Sequence, residues 1–460
     1  MTAGLRPYPE YKDSGLPWLD RVPAHWEEKR AKYYFREVDE RSATGAEQLM
    51  SVSHKTGVTP RKANVTMFMA ESNIGHKICR NGDLVINTMW AWMAAMGVAH
   101  QTGIVSPSYG VYRPHMASQY MPDYADHLLR TQPYVSEYIC RSTGIRASRL
   151  RLYPEDFLDI PVVCPPREEQ EAIVRFITEH SRLVSRFIRN RRRLIEVLKE
   201  QKQAIINRAV TRGLDPNVPL KPSGIEWLGD IPEHWRKILL GAELTVINGY
   251  PFTSEHFDGV NGLPLIRIRD IYSPSTQLRY NGPEVPEAVI DSGDILVGMD
   301  GDFNVAIWRG GRAQLNQRVC CLRPRGTVDR EYLSFLIQKP LKWINDQTFS
   351  TTVKHLSSND LQHIRAFIPG ADEQSDIVAF IQKETKILDE TKDYAQREID
   401  LIREYRIRLI ADVVTGKVDV RHLAPETMGA EEEYLEEGLL DELPEDDEAE
   451  LAEEAAHADD

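Results

Sequence analysis

No apolar run in the 460-residue chain approaches the roughly 20 residues that a membrane span needs. The N-terminus, MTAGLRPYPEYKDSG, has neither a basic region leading into an apolar core nor a small-residue cleavage site, so the expected compartment is the cytoplasm. Cysteine is scarce: Cys79, Cys140, Cys164, Cys320 and Cys321 are odd in number and lack CxxC spacing. That pattern supplies neither a disulfide framework nor a zinc site, and the thiols are expected to be reduced and mostly buried. Also missing are the GxxxxGK[ST] phosphate loop, HExxH, GxSxG and a glycine-rich cofactor loop following a strand. Asp300-Gly-Asp302-Phe-Asn304 opens like a calcium loop, but Val305 stands at the required glycine and Gly311 at the terminal Glu. The chain is therefore expected to carry no catalytic residue, metal or cofactor of its own.

Positive charge is missing from one place in particular. Residues 424–460 hold 17 Asp and Glu and no Lys or Arg, so the net charge of −14 becomes +3 once they are set aside. The body is mildly basic, compatible with binding phosphates, and the acidic extension has the one-sign composition of disorder. It serves either as a solubilising tail or as a mimic of DNA.

What the sequence does contain, it contains twice. Ser14-Gly-Leu-Pro-Trp18-Leu-Asp-Arg-Val-Pro23-Ala-His25-Trp26 returns as Ser223-Gly-Ile-Glu-Trp227-Leu-Gly-Asp-Ile-Pro232-Glu-His234-Trp235, with seven identities. Asn81-Gly-Asp-Leu-Val matches Ser292-Gly-Asp-Ile-Leu-Val, Glu169-Gln170-x-x-Ile173-Val174-x-Phe176-Ile177 matches Glu373-Gln374-x-x-Ile377-Val378-x-Phe380-Ile381, and Val210-Thr211 matches Val414-Thr415. Duplication over this length sets the architecture before any local reading.

Each copy passes from a mixed α+β region into a helical one at prolines, Pro161-Val-Val-Cys-Pro165-Pro166 and Pro369-Gly370. In the first, Ile173, Ile177, His180, Val184, Phe187, Arg191, Leu194, Leu198, Gln201, Ile205 and Arg208 follow alternating steps of four and three, a heptad seam with polar members. In the second, Ile377, Ile381, Leu388, Ala395, Ile402, Tyr405 and Leu409 form a comparable stripe. Helices this long need a partner, and the duplicate is the obvious one, giving an antiparallel coiled coil with pseudo-two-fold symmetry. The expected segments are residues 1–163 (mixed), 164–213 (helix), 214–235 (junction), 236–369 (mixed), 370–416 (helix) and 417–460 (extension).

The mixed regions diverge more than the helices, as a common frame carrying different loops would. Their basic, polar and aromatic candidates for DNA contact are Lys55, Arg61, Lys62, Arg146, Ser148 and Arg149 in the first, and Asn248, Tyr250, Arg267, Arg269, Thr351, Thr352, Lys354 and His355 in the second. Arg and Lys neutralise phosphates or pair with guanine, and Asn pairs with adenine. For each of these a solvated charge or local salt bridge competes with a base contact, and Tyr250 and Phe252 suit a core as well as an interface. The paired Trp18/Trp26 and Trp227/Trp235 segments sit at repeat junctions and read as docking elements.

These motifs, together with Gly249-Tyr-Pro-Phe252, Gly262-Leu-Pro-Leu-Ile-Arg267, Gly293-Asp294-Ile-Leu-Val, Asp300-Gly-Asp-Phe and Leu315-Asn316-Gln317-Arg318-Val319, resemble the specificity subunits of type I restriction-modification systems. The second copy fits better: Asn87-Thr-Met-Trp-Ala-Trp92 replaces the glycine-rich Gly298-Met-Asp-Gly301, although the second helix entry lacks the usual Pro-Pro. The resemblance implies two tandem target-recognition domains reading the two halves of a bipartite asymmetric DNA site, with the helices fixing the gap. It also implies docking of two methyltransferase subunits, which bind S-adenosylmethionine and methylate adenine, and of translocase-nuclease restriction subunits. Two other readings stand beside it: a self-contained DNA-modifying enzyme with an unrecognised site, and a coiled-coil scaffold without DNA recognition.

Overall fold

In the computed structural model, residues 5–61, 72–115, 120–144, 150–347 and 354–423 are described. The acidic extension beyond residue 423 and the disorder expected of it lie outside these residues. The described residues form two compact units, one from those up to 191 with those from 397 on, the other from those between 192 and 396.

In the first unit a four-stranded antiparallel sheet runs in the order Phe35–Glu37, Gly110–Pro114, Leu84–Ile86, Met96–Val98. Leu84, Val85 and Ile86 are all fully buried, so this central strand reads as a continuous apolar run without alternation. The second unit repeats the sheet as Leu244–Asn248, Val319–Pro324, Ile295–Gly298, Val305–Ile307. The additions differ. The first unit carries two-stranded pieces, Lys77–Cys79 with Gly103–Val105 and Met50–Ser53 with Gly57–Pro60, whereas the second carries a five-stranded sheet in which Leu263–Ile266 pairs in parallel with Ala313–Leu315.

The long helices span Arg167–Arg212 and Ala371–Val414. Acidic residues open both, Glu168 and Glu169 in one and Asp372 and Glu373 in the other, where the helix dipole favours negative charge. The absent Pro-Pro does not alter the second entry: the Gln374 N–H donates to the Gly370 carbonyl at 3.0 Å as Gln170 does to Pro166 at 3.0 Å. Within the first unit the two helical segments run antiparallel, since the rings of His180 and Tyr405 meet at 5.7 Å and Arg191 pairs with Glu398 at 2.9 Å. Within the second, Lys202 reaches Asp389 at 2.7 Å.

The second helix keeps the expected stripe, with Ile377, Ile381, Leu388, Ala395 and Leu409 buried, but the first departs from the heptad expectation. Ile173, Val184, Ile195 and Ile206 are buried, spaced by 11 residues, and Ile377, Leu388 and Ile399 repeat the spacing. Phe187, Leu194 and Ile205 are half-buried, and Gln201 and Arg208 are exposed. Eleven residues in three turns is about 3.67 per turn, close to the relaxed helix, so the seam drifts from the heptad by one residue after Val184.

The repeated Trp segments dock where each long helix begins. Trp26 Nε1 donates to Glu169 Oε1 at 3.0 Å and His25 Nε2 meets Glu169 Oε2 at 2.8 Å; Trp235 and His234 repeat this on Glu373 at 3.1 and 2.8 Å. Both Trp26 and Trp235 are buried, and truncating a ring so placed costs roughly 3–5 kcal/mol. In the first unit the end of the second long helix closes on the same segment: Gly416, at φ +80°, leaves 2.4 Å between an added Cβ and Pro23 Cδ, so only glycine fits.

Candidate nucleic-acid interface

In the second unit the loops that leave the central sheet converge at one of its ends. Asn248 ends the strand Leu244–Asn248 and pairs with Cys320, while Gly298 ends Ile295–Gly298 and pairs with Val319. Gly249 then passes so close to the neighbouring strand that an added Cβ would lie 1.9 Å from the Asn316 carbonyl oxygen. That approach lets the Tyr250 N–H donate to Leu315 O at 2.8 Å, and the Asn316 N–H donates to Ile266 O at 2.9 Å, bringing in the Arg267–Arg269 turn. Residues 354–358 complete the cluster through a bridge between His355 and Asp300 and through Leu356 N–H donating to Met299 O at 2.7 Å.

Six of the sequence-derived candidates, Asn248, Tyr250, Arg267, Arg269, Lys354 and His355, therefore lie in one cluster. Asn248 Oδ1 accepts from the Ser358 hydroxyl. Tyr250 is 47% exposed, with its ring 5.2 Å from buried Phe252, so of the two aromatic residues one faces water and the other fills the core. Arg267 Nε donates to Asp270 Oδ2 at 3.2 Å, which caps the turn Ile268–Asp270 that carries exposed Arg269. Lys354 Nζ donates to Asn345 O at 2.7 Å and Oδ1 at 3.0 Å. Thr351 and Thr352 lie outside the described residues.

Two members of the cluster escaped sequence reasoning. Asp300, only 13% exposed, holds His355 Nδ1 at 2.7 Å and Arg318 Nη1 at 3.0 Å, while both partners are more than half exposed. The carboxylate fixes an outward-facing guanidinium and an outward-facing imidazole about one point. Asp300-Gly-Asp302-Phe303 was legible as a failed calcium loop and as a family-like motif, and Arg318 only within a motif. The same loop holds buried Phe303 at φ +50°, an uncommon backbone state for a bulky residue that costs on the order of 1–3 kcal/mol.

The first unit places its strain at the same point. Ala94, at φ +62°, lies two residues before the strand Met96–Val98, as Phe303 lies two before Val305–Ile307. Its loop is built without the glycines, around a short 3-10 helix, Ala91–Met93. Leu152 N–H donates to Thr88 O at 2.9 Å, the counterpart of Leu356 on Met299. Arg61 belongs to this end: its charge acts on Tyr109, whose hydroxyl lies 3.1 Å from Asn87 Nδ2. Lys55 sits at the turn of the hairpin Met50–Ser53/Gly57–Pro60, at the other end from Arg61; its carbonyl accepts from Arg130 Nη2 at 2.8 Å. Lys62, Arg146, Ser148 and Arg149 lie outside the described residues.

Each frame is locked below its loops by one carboxylate. Asp83 receives Arg113 Nε at 2.9 Å and Nη2 at 2.8 Å, and Asp294 receives Arg323 Nε at 3.0 Å together with Nη2. Burial alone would raise the Asp294 carboxyl, but the Arg323 hydrogen bonds and charge and the Asp291 N–H hold it below the ordinary carboxylate range. The buried thiols of Cys79 and Cys164 are pushed up to about 11 by burial, which keeps them protonated. Among the described residues no group of His, Cys, Asp or Glu is arranged to hold a metal, and no helix is long and apolar enough to cross a membrane.

A two-unit fold of paired loop platforms on long helices is matched by known proteins. Residues 232–398 match the family described as type I restriction modification DNA specificity domain. The chain is 34% identical over 197 residues to the type I restriction enzyme EcoBI specificity subunit of Escherichia coli, covering 42% of this chain and 41% of that protein. It is 23% identical over 288 residues to the type I restriction enzyme MjaVIII specificity subunit of Methanocaldococcus jannaschii, covering 58% and 64%. The matched stretches thus span less than two thirds of either relative. A solved structure concerned with complex assembly and conformational transition of the type I R-M system shares the fold at a TM-score of 0.55 and 18% identity, over 85% of this chain and 98% of that one. Over these stretches the chain is similar to type I specificity subunits, the resemblance its repeated motifs carry.

Proposed function

We propose that the protein is a sequence-specific, non-catalytic DNA-binding subunit of a type I restriction-modification enzyme, each unit reading one half of a bipartite asymmetric site. The observation that carries this reading is the repeated frame with unlike loops. The Trp–His–Glu docking, the Arg–Asp lock and the strained residue recur in both units, while the loops they support differ in length, composition and strand content. A frame held constant under changed loops suits two readers of different sequences. In this reading Arg318, His355, Arg269 and Asn248 reach phosphates and base edges in the second half-site.

The long helices fix the gap and receive the partners. Phe380, Ile387, Tyr394 and Leu401 are exposed at seven-residue spacing along one helix, and Leu183 and Val197 are exposed on the other. Apolar stripes of this kind suit helical partners. The S-adenosylmethionine cofactor and the chemistry belong to the two methyltransferase subunits, and the translocase-nuclease subunits join the same assembly. Mapping methylated adenines in the host genome with and without the gene tests the reading. Loss of one bipartite asymmetric motif is expected; an unchanged methylation map refutes it.

A further inference from the structure

The end of the first long helix and the segment after it border an open cleft of about 490 Å3, whose polar lining comprises Asn207, Arg208, Thr211, Arg212, Asp215 and Lys339. Three of these side chains are cationic and one is acidic. Asp215 is already engaged with its own loop, accepting from the Asn217 N–H at 2.8 Å. Among the described residues Arg208, Arg212 and Lys339 have no ion pair. Cations gathered without a counter-charge repel one another, and Lys339 registers this: burial, and then the positive charge of Arg212, push its ammonium below the usual lysine range.

Helix-dipole compensation does not account for the set. A cation near a helix C-terminus is favourable, which suits Arg208 and Arg212 at the end of Arg167–Arg212, but Lys339 lies in the first turn of Gln338–Gln347, where the dipole opposes it. Nor does the common frame require them. The repeat aligns Val210-Thr211 with Val414-Thr415, which sets Asp412 against Arg208. Tyr332 and Tyr124 are equivalent through their hydroxyls, which donate to the Val210 and Val414 carbonyls, and this sets Thr131 against Lys339. The first unit thus carries a carboxylate and a hydroxyl where the second carries two cations, and Asp412 there is paired with Lys417 at 3.3 Å.

We propose that this cleft binds a phosphate-bearing anion with more than one negative charge. A single carboxylate would neutralise one cation of three, whereas two phosphates match the set. The lining offers charge and no aromatic stacking surface, so recognition is of phosphate and not of a base. Asn207, whose Oδ1 accepts from Gln203 Nε2 at 3.1 Å, keeps its NH2 group as a neutral donor. The volume lies within the roughly 300–1,000 Å3 of small-ligand sites, enough for adjoining phosphates from a free oligophosphate or from a nucleic-acid backbone.

Calorimetric titration of the full chain with pyrophosphate at low salt tests the site. Saturable binding is expected, weakened at least tenfold in Arg212→Gln/Lys339→Gln and retained in Arg208→Lys. Circular dichroism and melting without ligand show that the variants fold, and if the double variant does not, each single substitution is read in its place. Absence of saturable binding by the native chain, or equal binding by the folded variants, overturns the proposal. A duplex lacking any recognition motif separates the two sources. If it displaces pyrophosphate, and the double variant lowers the slope of log affinity against log salt by about 2, the ligand is backbone phosphate. If pyrophosphate stays bound, the ligand is a free oligophosphate.

Discussion

Asp294 shows how one side chain serves a loop platform it never joins. Its carboxylate is 3% exposed and takes the fork of Arg323, while Oδ2 also accepts the Asp291 N–H at 2.9 Å and so tightens the turn before the central strand. Asp83 does the same for Arg113. An amide at this position keeps one acceptor oxygen for the three donors that the two carboxylate oxygens receive and loses the charge, so Asp294→Asn is expected to cost on the order of 2 kcal/mol at neutral pH. The pH dependence has a definite sign. With its folded value depressed, the carboxylate contributes stability that is fully present above the ordinary carboxylate range and is lost as pH falls through the folded value. Urea unfolding of both proteins across pH 2–7 is expected to show curves that converge in acid; a constant offset counts against the assignment. At this scale the sequence was half legible. Gly-Asp before an apolar run announced each acid, but its arginine lies about 30 residues away on another strand, and no local pattern encodes that pairing. The same holds for Asp300 with Arg318 and His355: the cluster is made by three loops, and sequence reasoning found its outer members singly.

Among the elements, the long helices were the most legible, because apolar periodicity over more than 40 residues overwhelms local noise. The phase of the first was not, since steps of four and three suit a heptad and an 11-residue period equally well for the first few turns, whereas the expected stripe of the second is buried. The packing decides between them, and leaves a polar fault. His180 lies in the seam between Phe176 and Tyr405, at ring distances of 5.8 and 5.7 Å. Its Nε2 and the Tyr405 hydroxyl are buried without a hydrogen-bond partner among the described residues. Burial, and then the nearby Arg406 charge, lower the His180 value below that of a free histidine. Its contribution to stability is therefore lost as pH falls from the unfolded value through the folded one. His180→Leu removes both penalties and is expected to raise stability by about 1 kcal/mol at pH 8 and by more at pH 5.5. Thermal melts at the two pH values check this, and a gain that does not grow on acidification would show that protonation of His180 is not coupled to folding.

For the whole molecule, duplication was the decisive signal in the sequence, because it appears without any knowledge of contacts. Residues separated by about 200 positions recur with the same partner: Trp26 on Glu169, and Trp235 on Glu373. Loop conformation stayed illegible, because Ala91–Met93 and Asp300–Phe303 reach the same strained backbone position through unrelated residues.

If the two units read two half-sites, the helices set the distance between those sites, and the 11-residue seam dictates how that distance can be changed. Inserting 11 residues at matched points of both long helices preserves the buried face, whereas inserting five rotates it by more than a quarter turn and exposes the seam. The longer insertion adds about 16 Å of helix, equal to about five base pairs at 3.4 Å each. Sequencing of methylated adenines in cells carrying the altered gene is expected to return the same two half-site sequences with a wider gap. The five-residue insertion is expected to abolish methylation. Half-sites at their original spacing in the 11-residue variant would show that the helices hold the units without measuring the site.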